Sequence, residues 1–287
     1  MDENKKAAQK KKISHFITMA VLVILFLAFI FPFIMVIFNA FKTKGDITAD
    51  PLALVGSHGF ILTNFTDAMK KMNFATSFTN SLLITTVSTI LTIMLSAMTA
   101  FVIVRNKWKA CGILFSLMIA SMVIPFQVLM IPLVSLYGGI FGVLNSRITL
   151  ILMHVGFSLS MATFMFHGEI HTSVPMALEE AAFIDGCGYF KTMIKVMAPM
   201  AKPSIITVIL FNFLAFWNEY IIALTLMPGA SKTLPVGLVT LSKGQMAAAN
   251  YGQLYAGLVI VMLPTLILYI MVQKKLTQGM TLGGLKD

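Results

Sequence analysis

The sequence predicts an all-α integral membrane protein with six transmembrane helices and both termini in the cytoplasm. Three observations lead there. Hydrophobic residues make up 58% of the 287 residues and charged residues only 11%, with a mean hydropathy of +0.89. A soluble domain carries about a quarter charged residues, so this chain cannot cover a globule with polar surface. The apolar residues gather into six continuous runs, each long enough for a spanning helix of roughly 20 residues, and none alternates as a barrel strand would. Lys and Arg are unevenly spread: with the N-terminus inside, fourteen of the 21 fall on inner segments and seven on outer ones, the bias that sets orientation. The net charge of +10 then belongs to loops facing the cytoplasm and anionic headgroups, and it implies no nucleic-acid partner.

Residues 1–15 form a basic cytoplasmic tail with Lys5, Lys6, Lys10, Lys11 and Lys12. A basic start before an apolar run also describes a signal peptide, but this run is too long and ends without a small-x-small cleavage site. The six-helix domain covers residues 16–273, with spans expected at 16–41, 81–104, 110–134, 148–166, 204–226 and 253–273. Residues 274–287 form a cytoplasmic C-terminal tail. Outside lie residues 42–80, where Thr63-Asn64-Phe65 and the run to Met72 permit a short helix, a brief loop around Arg147, and a longer loop over 227–252. Inside, the one sizeable loop is 167–203. Cys111 and Cys187 both fall on the inner side, where a disulfide is not expected, and neither they nor the five histidines form a metal-binding spacing.

Several spans carry polar groups with two readings each. Thr85, Thr86, Ser88, Thr89, Thr92, Ser96 and Thr99 in span 2 suit close helix packing, or a path for a polar solute. Pro125, Pro132 and Pro264 bend helices, which transporters and inert bundles share. His154 reads as a packed, hydrogen-bonded histidine or as a proton relay. Span 5 gathers Asn212, Phe216, Trp217, Asn218 and Glu219. Aromatic faces beside amides and a carboxylate suit a sugar, whose C–H faces stack and whose hydroxyls bond; the same residues suit an interfacial aromatic belt with a structural Asn–Glu pair.

Within 167–203, Ser173 is a plausible N-cap and Pro175 a first-turn residue. A short helix is expected over 176–184, a turn at Gly186 and Gly188, a second helix over 189–197, and a boundary at Pro199. Phe183, Phe190 and Ile194 offer apolar surface beside Glu179, Glu180 and Asp185, a mixture that fits a protein partner better than anionic lipid. Glu180-Ala181-Ala182, three residues, Gly186, nine residues, then Val196-Met197-Ala198-Pro199 resembles the EAA loop of ABC importer permeases, with Asp185 matching the common Asp-Gly form. Val196 and Ala198 stand where that pattern has isoleucine and leucine. Asn80-Ser81-Leu82, Trp217-Asn218-Glu219, Leu234-Pro235-Val236-Gly237-Leu238 and the tail 278–286 are similar to further signatures of carbohydrate-importer permeases, of the six-span maltose and multiple-sugar kind.

The resemblance implies a type I importer permease in a bacterial cytoplasmic membrane, moving a carbohydrate of the oligosaccharide class. It implies a second permease subunit as heterodimer partner, an ATP-binding subunit dimer and an extracytoplasmic sugar-binding protein. Glu180, Ala181, Ala182, Asp185, Gly186 and Pro199 would couple to the ATPase, and Asn212, Phe216, Trp217, Asn218 and Glu219 are candidates for the substrate path. In such systems the last outer loop reaches the binding protein and the C-terminal tail reaches the ATPase. The chain would bind no cofactor: ATP and Mg²⁺ belong to the partner ATPase, since no G-x-x-x-x-G-K-[ST] string occurs. No catalytic constellation is visible either, so no enzyme is expected. The alternatives are a secondary transporter coupled to protons or sodium, which would be expected to carry more intramembrane ionisable groups, and a membrane anchor with no transport role.

Overall fold

The computed structural model describes residues 2–227, 232–242 and 250–283. Every named element among them is helical. In chain order they are α1 (Asp2–Asn39), α2 (Lys44–Ala49), α3 (Thr63–Lys71), α4 (Phe74–Arg105), α5 (Lys109–Ser121), α6 (Phe126–Val134), α7 (Arg147–Ser173), α8 (Met176–Ile184), α9 (Tyr189–Thr192), α10 (Ala198–Met200), α11 (Lys202–Asn218), α12 (Ile221–Leu226), α13 (Leu234–Ser242) and α14 (Tyr251–Gly283). Wide π turns over Ser135–Ile140 and Met193–Met197 extend α6 and join α9 to α10.

Four helices are long and apolar enough to cross a membrane, and six spans result if each of two bent pairs counts as one. The sequence reads span 3 as one run over 110–134. The structure instead bends Lys109–Ser121 against Phe126–Ile140 by 94°. The cause is Pro125: it has no N–H to donate, and it disfavours helical geometry in Ile124 before it. Span 5 is also interrupted. Helix α11 stops at Asn218 and α12 starts at Ile221, so the run 204–226 is two helices with Glu219 at the break.

The chain divides into two compact units. The first holds Met1–Lys71 and Leu241–Ile260. Its helix α1 is apolar on all sides, and none of its most apolar window is buried, the surface a bilayer covers. Beyond it the chain is tied down by polar contacts. Thr43 Oγ1 caps α2 by accepting from Asp46 N–H at 3.1 Å. The Ser57 hydroxyl, the Thr43 hydroxyl and the Ser57 N–H donate to the Asp46 carboxylate and hold it far below the usual carboxylate range. Asn64 on the expected helix α3 donates to the carbonyls of Ala40 at 2.9 Å and Lys42 at 2.8 Å. Lys71 Nζ donates to Gln253 Oε1 at 2.6 Å, and Gln253 donates to Asp67 at 3.1 Å. These bonds seat the start of α14 against α3.

Gly252 lies in the tightest part of that seat. A Cβ there would come within 2.5 Å of Asn64 Nδ2 and 2.6 Å of the Lys42 carbonyl. Gly252→Ala is therefore expected to destabilise this unit by about 1–3 kcal/mol through overpacking. The check is thermal unfolding of the purified membrane protein; an unchanged midpoint would contradict the packing.

The second unit holds Met72–Thr240 and Val261–Asp287. At its centre α4 packs along α7 and α11. The packed stripe of α4 is small: Ser77, Ser81, Ser88, Thr92, Ser96 and Ala100 are all buried. Small side chains let helix backbones approach closely in a membrane, so packing is the role the structure gives the buried span 2 hydroxyls. An apolar cluster sits toward each end of this bundle. One contains Ile84, Leu150, Leu226 and Val236; the other contains Phe101, Phe166, Met197 and Val208. Both cysteines are free thiols.

Candidate functional site

The 167–203 segment folds as a helical hairpin between α7 and α11. Helix α7 runs through Ser173, so Ser173 closes one helix and is not the cap of the next; Pro175 holds that position, extended at φ −62°, ψ 135°. Helix α8 then covers 176–184, as the spacing predicts. Its end explains the Asp-Gly pair. Gly186 adopts φ +77°, its N–H donates to Phe183 O at 3.0 Å, and Cys187 N–H donates to Ala182 O at 2.9 Å. These two bonds make a Schellman cap, which needs a left-handed residue at the glycine position. Gly188 is different: at φ −78°, ψ 167° it is ordinary extended backbone. The bend into α11 comes at Ala201, two residues beyond Pro199, and measures 84°. Pro203 starts α11 in the first turn, where a missing N–H costs nothing.

Glu180, Ala181, Asp185, Gly186 and Pro199 are exposed, while Ala182 is buried at the base of the hairpin. Around them Ile184 is 87% exposed and Tyr189 72%, and Phe190 is also open. Phe183 and Tyr189 pack edge to face at 4.9 Å, bracing the two arms. The hairpin thus presents carboxylates beside uncovered apolar side chains, the composition of a protein-docking face.

What the sequence reading missed is how this face is anchored. Glu179, one residue before the Glu-Ala-Ala string, is 3% exposed. It accepts from Arg105 at the end of α4: Nε donates at 2.8 and 3.0 Å, and a terminal nitrogen also donates to Glu179 Oε1. The second use of that nitrogen is a bond to the Val174 carbonyl at 2.7 Å. A paired guanidinium and carboxylate with this many charge-assisted bonds hold a fixed geometry. Helix α8 is therefore fastened to α4 as well as to its chain neighbour α9 and the π turn after it. A cavity of about 560 Å³, lined by Met98, Phe101, Val102, Met176, Phe190 and Met193 among others, opens beside the pair.

The span 5 cluster is brought together, but most of it faces inward. Asn212 donates to Val208 O at 3.0 Å. Trp217 is fully buried, stacked on Phe213 at 5.7 Å, and its Nε1 points to Val261 O at 3.4 Å. Phe216 lies flat against His154, with centroids 4.7 Å apart. His154 is buried and neither ring nitrogen has a hydrogen-bond partner; its Nε2 lies 3.6 Å from Glu219 Oε2. Glu219 itself spans the helix break by accepting from the N–H groups of Ile222 and Ala223, which caps α12. Asn218 is exposed and donates to Leu214 O at 2.9 Å, so no Asn–Glu pair forms. Of the five, Asn218 and the edge of Glu219 reach the surface of this chain.

Comparisons with known proteins agree with this architecture. Residues 92–281 match the model of the family described as binding-protein-dependent transport system inner membrane component. A probable starch degradation products transport system permease protein of Thermoanaerobacterium thermosulfurigenes is 33% identical, over 92% of this chain and 94% of that protein. A diacetylchitobiose uptake system permease protein of Streptomyces coelicolor is 30% identical, over 93% and 87%. A chain from the crystal structure of a bacterial ABC transporter involved in the import of the acidic polysaccharide alginate superposes with a TM-score of 0.74 at 19% identity, covering 92% of this chain and 96% of that one; it shares the fold. The matched family covers most of this multi-pass helical chain, and the chain belongs to it: it is a permease subunit of the ABC importers, the non-enzymatic transport component to which a separate subunit supplies ATP hydrolysis.

Proposed function

We propose that this chain, in a bacterial cytoplasmic membrane with both termini inside, imports an oligosaccharide as one half of a permease heterodimer. An ATPase dimer docks on the α8–α9 hairpin, and an extracytoplasmic sugar-binding protein delivers cargo at the other end. The observation that carries this reading is the exposed face of Glu180, Asp185, Ile184, Tyr189 and Phe190 on a hairpin anchored by the Arg105–Glu179 pair. A docking loop that transmits force must be short and rigidly held, and a population shift on ATP closure reaches the spans only if the loop moves with them. The carbohydrate reading draws on the relatives, named for starch products, diacetylchitobiose and multiple sugars. Asn218 and Glu219 are the cargo contacts this chain offers, while Asn212, Phe216 and Trp217 hold the break in place behind them. The C-terminal tail from 284 and the loop segments 228–231 and 243–249, proposed to reach the ATPase and the binding protein, lie outside the described residues.

The test is ATPase capture. The permease pair, immobilised in detergent, retains its ATPase, and Glu180→Lys weakens retention at least about tenfold by reversing a charge in the docking face. Glu180 is exposed, so insertion and pairing of the permeases stay normal. Equal retention by the variant would refute the docking assignment.

A further inference from the structure

Two short signatures in distant parts of the sequence, Asn80-Ser81 and Leu234-Pro235-Val236-Gly237, meet at the end of α4 opposite Arg105. Asn80 is 2% exposed, and its amide donates to the Lys232 carbonyl at 3.1 Å. Ser81 is 3% exposed, and its hydroxyl accepts from the Leu234 N–H at 2.7 Å. That N–H is one of the orphan donors at the start of α13, and Pro235 after it has none to offer, so the helix start is satisfied from α4. One turn further on, Gly237 lies against the start of α4. A Cβ there would come 3.2 Å from the Met72 carbonyl and 3.4 Å from Ser77 Oγ. Val236 completes the contact by packing in the same apolar cluster as Ile84.

The same helix therefore has a grip at each end. At one end Arg105 holds α8. At the other, Asn80 and Ser81 hold the first turns of α13. Both grips sit on one uninterrupted helix of 32 residues without proline or glycine, about 48 Å long from end to end at 1.5 Å per residue. Nothing in it supplies a hinge: kinks in helices arise at proline, glycine or bulges.

We propose that α4 is a single rod joining the ATPase-docking hairpin to the outer segment 232–240, with Asn80 and Ser81 as the positioning residues that make that segment follow it. The inference rests on the docking role proposed above for α8. Movement of α8 on ATP closure is carried by Arg105 into α4, and α4 carries the outer segment, and with it the root of the loop proposed to meet the binding protein. Coupling between two sites is reciprocal, so a binding protein engaging that loop acts back on the hairpin along the same rod.

The experiment uses the complete importer in proteoliposomes: this chain, its partner permease, the ATPase and the loaded binding protein. Basal ATP hydrolysis and its stimulation by the binding protein are measured separately. Asn80→Ala with Ser81→Ala is expected to leave basal hydrolysis in place and to lower stimulation about tenfold, within the usual range for coupling between sites. Ser81→Thr, which keeps the hydroxyl acceptor, retains most of the stimulation. Unchanged stimulation in the double variant overturns the proposal. Hydrogen exchange on the unmodified importer decides independently of whether the double variant assembles. The Leu234 amide is expected to stay equally protected in the nucleotide-free and nucleotide-trapped states, because the grip travels with the rod. Loss of its protection in either state overturns the proposal. Failure of the unmodified permease pair to capture the ATPase would instead sink the docking role itself, so the two failures are distinguishable.

Discussion

Arg105→Ala is expected to be the most damaging single substitution outside the apolar clusters. It leaves the Glu179 carboxylate buried without its partner and the Val174 carbonyl without its donor. Removing one member of a buried pair costs about 3–5 kcal/mol, because the remaining charge stays desolvated. Arg105→Lys does not rescue it fully: a lysine offers a point charge and cannot bond both carboxylate oxygens and a carbonyl in one plane. The measurement is transport and thermal stability of the reconstituted importer. Loss of most uptake, with a lowered unfolding midpoint and partial recovery in Arg105→Lys, is the expected pattern. Wild-type uptake in Arg105→Ala would show that α8 needs no anchor on α4.

Gly186→Pro has the second largest expected effect, through backbone geometry. Proline holds φ near −65°, against the +77° of the native turn, and it deletes the N–H that donates to Phe183. The Schellman cap is lost and the two arms of the hairpin separate, at a cost of about 3 kcal/mol or more. Nothing lies within 4 Å of a Cβ at this position, so Gly186→Ala isolates the conformational penalty alone, about 1 kcal/mol. Capture of the ATPase should fall severely in Gly186→Pro and mildly in Gly186→Ala. Equal capture by both would mean that the turn is not what shapes the docking face.

How much of this was legible in the sequence follows from the range of each interaction. The bounds of helix α8 and the turn at Gly186 are readable because their signals are local, a proline before the first turn and a glycine two residues past the last, whereas the cap falls at Pro175 instead of Ser173 and Gly188 takes no part in the turn. The six apolar runs and the short helix α3 were readable for the same reason. The break at Pro125 was visible as a proline, but a proline gives no angle, and 94° depends on what each half packs against. The Glu-Ala-Ala string picks out Glu180, which is exposed, and passes over its neighbour Glu179, which is buried. What separates them is Arg105, 74 residues earlier in the chain; no periodicity connects two residues that far apart. The contact of Asn80 with Lys232 spans 152 positions and is equally hidden, although both signatures stand out as strings in the sequence. Glu219 stood out as an ionisable group in a span, and its use as a helix cap at a break emerges only once α12 is seen to start at Ile221.

ATP-driven uptake tests the central claim most directly. Proteoliposomes holding this permease pair and its ATPase, with the binding protein and its radiolabelled oligosaccharide outside and ATP within, should accumulate the sugar. Accumulation should stop when the ATPase or the binding protein is left out. Accumulation driven by a proton or sodium gradient with no ATPase present would contradict the account.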